Sequence, residues 1–441
     1  MRQSHPTVVS FHASPPPRRT SKISMARLRE IALECGADDA GAVLLARPEL
    51  ASEVSFVQAA MPHAKAVLCI VKKMAVAPVQ TPARSLSNHE FHGATDEVGE
   101  VGRAIAARLE ELGIRALNTS AGFPMEMHQF PGRTWIIAHK VVAEAAGLGK
   151  MGIHRNVIHP KFGNFILLNS ILLDCDVEDE SAPIDYNPCL ECKLCVAVCP
   201  VGAISSDGHF DAIACLNHNY REFMGGFIDW IDTLAESKGK ADYQKQVTDQ
   251  ETASWWQSLS TGPNYKSAYC MAACPAGEDI IGRFLVDKGQ FVKEVVKPLQ
   301  QKVEPIYVVK GSDAEASVIK RFPNKIVRRI SSGVRPGSIA QLLDALPLAF
   351  QRGQSKDITA TFDFHFIGNE DVEACIIIKD QTISVTRKRS GSADLAIEVD
   401  SKSWLDFLAG RTGLAKLVLL RRLKFQGDLR LLAKFGKCFP S

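Results

Sequence analysis

Several things are scarce in this sequence, and each scarcity closes a door. No stretch of the 441 residues approaches the roughly 18 consecutive apolar residues that a membrane-spanning helix needs, so no integral membrane association is expected. No acidic residue precedes Glu30, and the segment 1–24 holds Pro15-Pro16-Pro17 and Arg18-Arg19, which reads as a disordered tail. The arginine pair raises a twin-arginine export signal as an alternative. The residues after Lys22, however, turn amphipathic where such a signal needs an apolar run, and translation from Met25 would remove the segment altogether. A cytoplasmic location is the expectation. No internal repeat is long enough for a solenoid. An excess of either charge is missing too: the net charge of +3 gives no argument for a polyanionic partner, and no nucleic acid is expected.

What is present suits packed domains. Apolar residues make up 46% and charged residues 23%, and the length exceeds what one core usually organises, so two or three domains follow. From Met25 to about Asp174 helical and strand patterns alternate. Val98, Val101, Ile105 and Leu109 recur at helical spacing before Gly113, and Val67 to Val71 is a short continuous apolar run. This predicts an α/β core. A polar insert with Trp255-Trp256 lies between Cys215 and Cys270, and a basic, poorly patterned stretch from about Val303 to Pro336 reads as a connection. Beyond it the period changes to two. Ile358, Ala360, Phe362, Phe364 and Phe366 alternate with mostly polar neighbours, as do Ile383 and Val385, then Leu395, Ile397 and Val399. Ser401 is placed to cap a helix carrying Trp404, Leu405 and Leu408, and another apolar helix follows Gly413.

Seven of the twelve cysteines fall between Cys189 and Cys274, a crowding that favours cofactor ligation over disulfides. The core of the pattern is Cys189-Leu-Glu-Cys192-Lys-Leu-Cys195-Val-Ala-Val-Cys199-Pro200. Thiolates three residues apart can take three corners of a cubane cluster, while the cysteine before proline turns to a second cluster. Structural zinc prefers cysteine pairs set a dozen or more residues apart, so four thiols this close favour iron and sulfide. In the usual bacterial-ferredoxin exchange Cys189, Cys192 and Cys195 share the first cluster with Cys274, and Cys199, Cys215 and Cys270 hold the second. That leaves the second cluster one thiolate short. Ser267 stands where a fourth ligand is expected, so a serine oxygen, a water, a remote cysteine or a 3Fe-4S cluster remain open. Cys35, Cys69, Cys175, Cys375 and Cys438 read as small core or incidental residues.

Upstream stand Ala145-Ala146-Gly147-Leu148-Gly149-Lys150-Met151-Gly152, then Asn156-Val157-Ile158-His159-Pro160-Lys161-Phe162-Gly163. With the cysteine run, this order resembles the corrinoid-dependent reductases, the epoxyqueuosine reductases and reductive dehalogenases, over roughly residues 25–285. The resemblance implies a base-off cobalamin against the α/β domain, reduced through the two clusters. Gly147, Gly149, Gly152 and Gly163 are the candidate cofactor-binding residues, on the ground that glycine permits close backbone approach to a flat cofactor; a helix end followed by ordinary turns is the plain alternative. The stretch 131–139 carries no carboxylate where epoxyqueuosine reductases place an acidic proton donor, which argues against tRNA modification. His139, His154 and Arg133 are the candidate proton sources in that neighbourhood.

From about Ser338 to Phe439 the pattern resembles a sterol-carrier-protein type-2 domain, which implies a sheet with helices on one face around a tunnel for an apolar, lipid-like ligand. Phe362, Phe364 and Phe366 are either tunnel lining or ordinary core. Lys416, Arg421, Arg422 and Lys424 either meet acidic headgroups or form a solvated face.

The expected architecture is therefore an α/β N-terminal reductase-like domain with a ferredoxin-like double-cluster module, plus an α+β sterol-carrier-like C-terminal domain. The boundaries are a tail at 1–24, the reductase-like domain at 25–180, the iron-sulfur domain at 181–290, a linker at 291–337 and the C-terminal domain at 338–441. The expected function is a cobalamin-dependent iron-sulfur oxidoreductase acting on a hydrophobic small molecule. A ferredoxin, flavodoxin or reductase would be its electron donor. The alternative is a cobalamin-free, ferredoxin-like electron carrier with a lipid-binding domain.

Overall fold

The computed structural model describes residues 5–15, 19–119, 121–122, 135–264 and 268–440. It divides into two compact units, Met1–Cys195 with Cys270–Val296, and Val196–Tyr269 with Lys297–Ser441.

The first unit is built on a four-stranded sheet in the order Asp39–Leu44, Ala66–Lys73, Ile166–Leu173, Ala116–Asn118. The apolar run at its centre is buried on both faces because its side chains alternate. Leu68 and Ile70 join the helices Met25–Glu34 and Arg84–Glu111 through Ile31, Val98, Ile105 and Leu109. Val67, Cys69 and Val71 face Val57 and the helix His139–Ala145 through Val142 and Ala143. The long helix stops where the sequence indicated, with Gly113 at φ +76° just past its end. The helix-strand alternation is real, but every pairing in this sheet is antiparallel. The helices between Asp39–Leu44 and Ala66–Lys73 turn the chain back beside itself instead of crossing over to a parallel neighbour.

The segment read as a tail is partly docked. Its helix Pro6–Ala13 buries no residue, yet Lys22–Ser24 pairs in parallel with Asp176–Glu178, and Arg19 forms a 2.9 Å ion pair with Asp174.

In the second unit the polar insert is helical, comprising Ala212–Asn219, Met224–Glu236, Lys240–Gln246 and Asp249–Thr261. Trp255 is buried and stacks on Trp230 at 5.4 Å, whereas Trp256 is exposed. The stretch expected to be a connection holds two parallel strands, Pro305–Val309 and Ile326–Ile330, with the helix Asp313–Arg321 between them. Its basic residues hid this pattern because several are paired: Lys325 binds Glu304, and Arg329 binds Glu315.

The C-terminal part opens with the helix Ile339–Ala349 and folds into a five-stranded sheet in the order Thr382–Thr386, Val372–Lys379, Ala360–Ile367, Leu395–Asp400, Leu423–Gly427. Its alternating residues are the inward ones. Phe362, Phe364 and Phe366 are at most 1% exposed, Phe364 lies 5.4 Å from Phe366, and Phe435 and Trp404 close on them. They are the core of this domain, with other side chains where a tunnel lining would face empty space. The helix Ser401–Leu408 is capped one residue earlier than the sequence suggested. Asp400 accepts the Ser403 N–H, and Ser401 itself is buried. Among the described residues no helix is long and apolar enough to cross a membrane.

Candidate functional site

The run beginning at Cys189 is a loop followed by the short helix Leu194–Val198. Two of its residues, Glu191 and Lys193, adopt φ +55°, a left-handed conformation that side chains other than glycine's adopt at a cost. These reversals curl the loop so that Cys189, Cys192 and Cys195 line one cavity of about 130 Å³. Cys274, which follows the helix Tyr269–Ala273, lines the same cavity, with Ile153 and His154 on another wall.

Among the described residues no group of three His, Cys, Asp or Glu side chains closes on a point as ligands of one metal ion do. The thiols surround space instead. Burial pushes the Cys274 thiol up to about 12, and its neighbours Cys192, Cys189 and Cys270 push the same way. Bare thiolates therefore repel one another here, and a positively charged core between them would remove the penalty. The Ile153 N–H donates to Cys189 Sγ at 3.4 Å, the type of bond that stabilises a ligating sulfur. Asn187 Oδ1 accepts the Cys189 N–H at 3.0 Å and holds the loop entrance.

The remaining motif cysteines do not line this cavity. Cys199 is buried, and burial raises its thiol against backbone N–H groups of Ala203, Val201 and Ile204 that would favour a thiolate. Cys215 is half-buried on the helix Ala212–Asn219, and Cys270 lies one helical turn before Cys274. Ser267 and Arg133 lie outside the described residues. Cys69, Cys175 and Cys438 belong to apolar cores.

The glycines do something other than cradle a cofactor. A Cβ on Gly147, at φ +68°, would sit 2.3 Å from the carbonyl oxygen of Ala182, and one on Gly163, at φ +62°, would sit 2.1 Å from that of Ala276. Gly149 faces the Ile158 carbonyl and Gly152 the side chains of Ile158 and His154. The space that their missing side chains leave is filled by the protein's own chain. Gly163 seats the segment that follows Cys274, where the Glu278 and Asp279 N–H groups donate to Pro160 and Lys161.

Both candidate histidines are buried. His139 Nδ1 lies 2.9 Å from Ser170 Oγ on the central sheet and does not line the cavity. His154 lines it, but burial, then the charge of Lys140, lowers its pKa to about 4. At neutral pH it is an uncharged imidazole, so the near-neutral proton source that the sequence suggested is not available there. Its Nδ1 accepts the Asn156 N–H at 3.1 Å, and Asn164 meets Nε2 at 3.3 Å. Sequence reasoning missed the pair His159 and Asp39, 3.0 Å apart, which ties the turn bearing Gly163 to the first strand of the sheet. It also missed Ile153, which acts through its backbone and so leaves no residue-type signal.

A model of the 4Fe-4S binding domain matches residues 182–205, and one of the SCP-2 sterol transfer family matches residues 340–440. The chain is 32% identical over 85 residues to an epoxyqueuosine reductase of Lactococcus garvieae, covering 19% of this chain and 24% of the relative. It is 28% identical over 148 residues to that of Aliivibrio fischeri, covering 31% and 36%. The matches thus span about a quarter to a third of those relatives' length. A solved epoxyqueuosine reductase from Streptococcus thermophilus aligns with a TM-score of 0.34 and 15% identity over 73% of this chain and 86% of that one. The chain is therefore similar in part to the epoxyqueuosine reductases, carries a 4Fe-4S binding segment, and joins to these a C-terminal segment of the SCP-2 sterol transfer type.

Proposed function

We propose that the chain is an iron-sulfur oxidoreductase whose first 4Fe-4S cluster is held by Cys189, Cys192, Cys195 and Cys274, and whose C-terminal domain binds a hydrophobic small molecule that is reduced. The observation that carries this reading is the convergence of four thiols, one of them 79 residues beyond the last of the other three, on a single cavity. A cluster there supplies reversible one-electron transfer. The chain supplies the rest: left-handed turns at Glu191 and Lys193 orient the thiols, the Ile153 amide stabilises Cys189 Sγ, and neutral His154 covers the cavity without adding charge. The sequence expectation of a second cluster on Cys199, Cys215 and Cys270, completed by a fourth ligand or present as a 3Fe-4S form, is part of the proposal. The electron donor would be a ferredoxin, flavodoxin or reductase.

Cobalamin, implied by the resemblance, would supply a strongly reducing cobalt. Of the glycines expected to receive it, Gly147, Gly149 and Gly163 are packed on the chain's own backbone and Gly152 on the side chains of Ile158 and His154, so they do not form the expected cradle and no step is assigned to it. The same packing favours a second reading, a corrinoid-free electron carrier. Anaerobic purification with iron, sulfide and corrinoid analysis, followed by reconstitution with hydroxocobalamin, tests both. Bound clusters with retained corrinoid and substrate turnover support the corrinoid enzyme. Clusters that refuse corrinoid and reduce no substrate support the carrier, and a zinc-bound, colourless protein overturns both.

A further inference from the structure

The chain as a whole is nearly neutral, but residues 401–441 contain nine Lys and Arg against two Asp and no Glu. Within that cationic segment the helix Leu414–Leu419 is fastened to the domain by Leu417, which is 2% exposed, and by Leu423 just beyond it, 3% exposed. Between these anchors three consecutive aliphatic residues face solvent: Val418 at 47%, Leu419 at 82% and Leu420 at 51% exposure. Arg421 and Arg422 follow at once, also exposed, and Lys416 stands one turn back on the helix.

The backbone fixes this arrangement. The helix ends with the Arg422 N–H donating to the Leu417 carbonyl and the Arg421 N–H to that of Val418, a double closure that requires a left-handed residue at Arg421, φ +54°. Glycine is the residue that adopts this conformation without cost. An arginine in its place keeps a fixed cation beside the exposed leucines.

We propose that this turn is a docking surface for an anionic phospholipid bilayer, with Val418, Leu419 and Leu420 entering the acyl boundary and Lys416, Arg421 and Arg422 meeting the headgroups. Apolar side chains at the tip of a cationic collar match the two layers of such a surface, apolar below and negative above. A polyanion such as nucleic acid would engage the cations and leave the leucines in water. A second copy of the same patch would set like charges against each other. The proposal is independent of the cluster assignment, since it concerns residues of the C-terminal domain alone.

The test is flotation of the full-length protein with phosphatidylcholine vesicles, with and without phosphatidylserine, at low and physiological salt. Binding is expected to need phosphatidylserine and to weaken with salt. Leu419→Asp should reduce affinity at least tenfold. Arg421→Gly should reduce it about fivefold, as the loss of one surface cation predicts, while leaving the melting temperature of the C-terminal domain unchanged or higher. A merely structural Arg421 gives the opposite pattern, with neither a gain in stability nor a loss of binding. Equal binding to neutral vesicles, no binding to anionic ones, or affinity for heparin or RNA that matches the vesicles and ignores Leu419→Asp would each overturn the proposal.

Discussion

The thiol-lined cavity of the first unit, with Cys195 and Cys274 buried and Cys189 and Cys192 half-buried, and the fully buried aromatic core of the C-terminal domain differ in whether burial satisfies the groups concerned. Phe362, Phe364 and Phe366 gain by leaving water and need nothing further. Cys189, Cys192, Cys195 and Cys274 surround space, and burial together with the neighbouring Cys192 and Cys189 raises the Cys274 thiol, so their site is complete only with a charged core among them. One region is finished by the chain itself, and the other is finished by what it binds.

The comparison is tested most severely at the thiols. Cys274→Ser or Cys189→Ser should abolish the visible absorbance and the iron of the first cluster. Hydrogen exchange should rise across residues 153–163 and 187–195 and remain unchanged in the C-terminal sheet. Protection lost equally everywhere would show that the two regions are not separable in this way. Next in size, Phe364→Ala should cost the C-terminal domain about 3–5 kcal/mol, read from its melting transition, with iron content unaltered.

Gly163→Ala joins the two kinds of argument, since it changes no ligand but forces a Cβ against the Ala276 carbonyl at a left-handed position. It should destabilise by about 2 kcal/mol or more and lower the iron bound per chain. The smallest effect is expected at Asp39. Burial raises its carboxyl, but the His159 ring, the Ala40 N–H and Arg29 outweigh this and hold it below the ordinary carboxylate value. A carboxyl lowered in the folded state stabilises above the unfolded pKa and loses that contribution as pH falls through the folded one. Asp39→Asn should therefore flatten the acid limb of the first unit's stability curve below about pH 4, measured by denaturant melts across pH.

Legibility in the sequence followed the range of the interactions. The strands through Phe364, Val385 and Ile397 were readable because alternation is local, and the helix through Ile105 because its period is. The strands Pro305–Val309 and Ile326–Ile330 were not, because parallel partners are separated by a helix and Arg329 is paired with Glu315 outside the strands. At the site, the thiol spacing was visible, but the faces of Gly147 and Gly163 were not. A glycine reports that something comes close without saying whether it is a ligand or the protein's own backbone.

By itself the sequence determined which residue types could ligate a cluster and which strands would alternate, since both follow from spacing along the chain. Only the tertiary structure decided that Gly163 seats the segment behind Cys274 and that His154 is held uncharged. Those outcomes depend on which distant segments meet and how much water they exclude, and no local period encodes either.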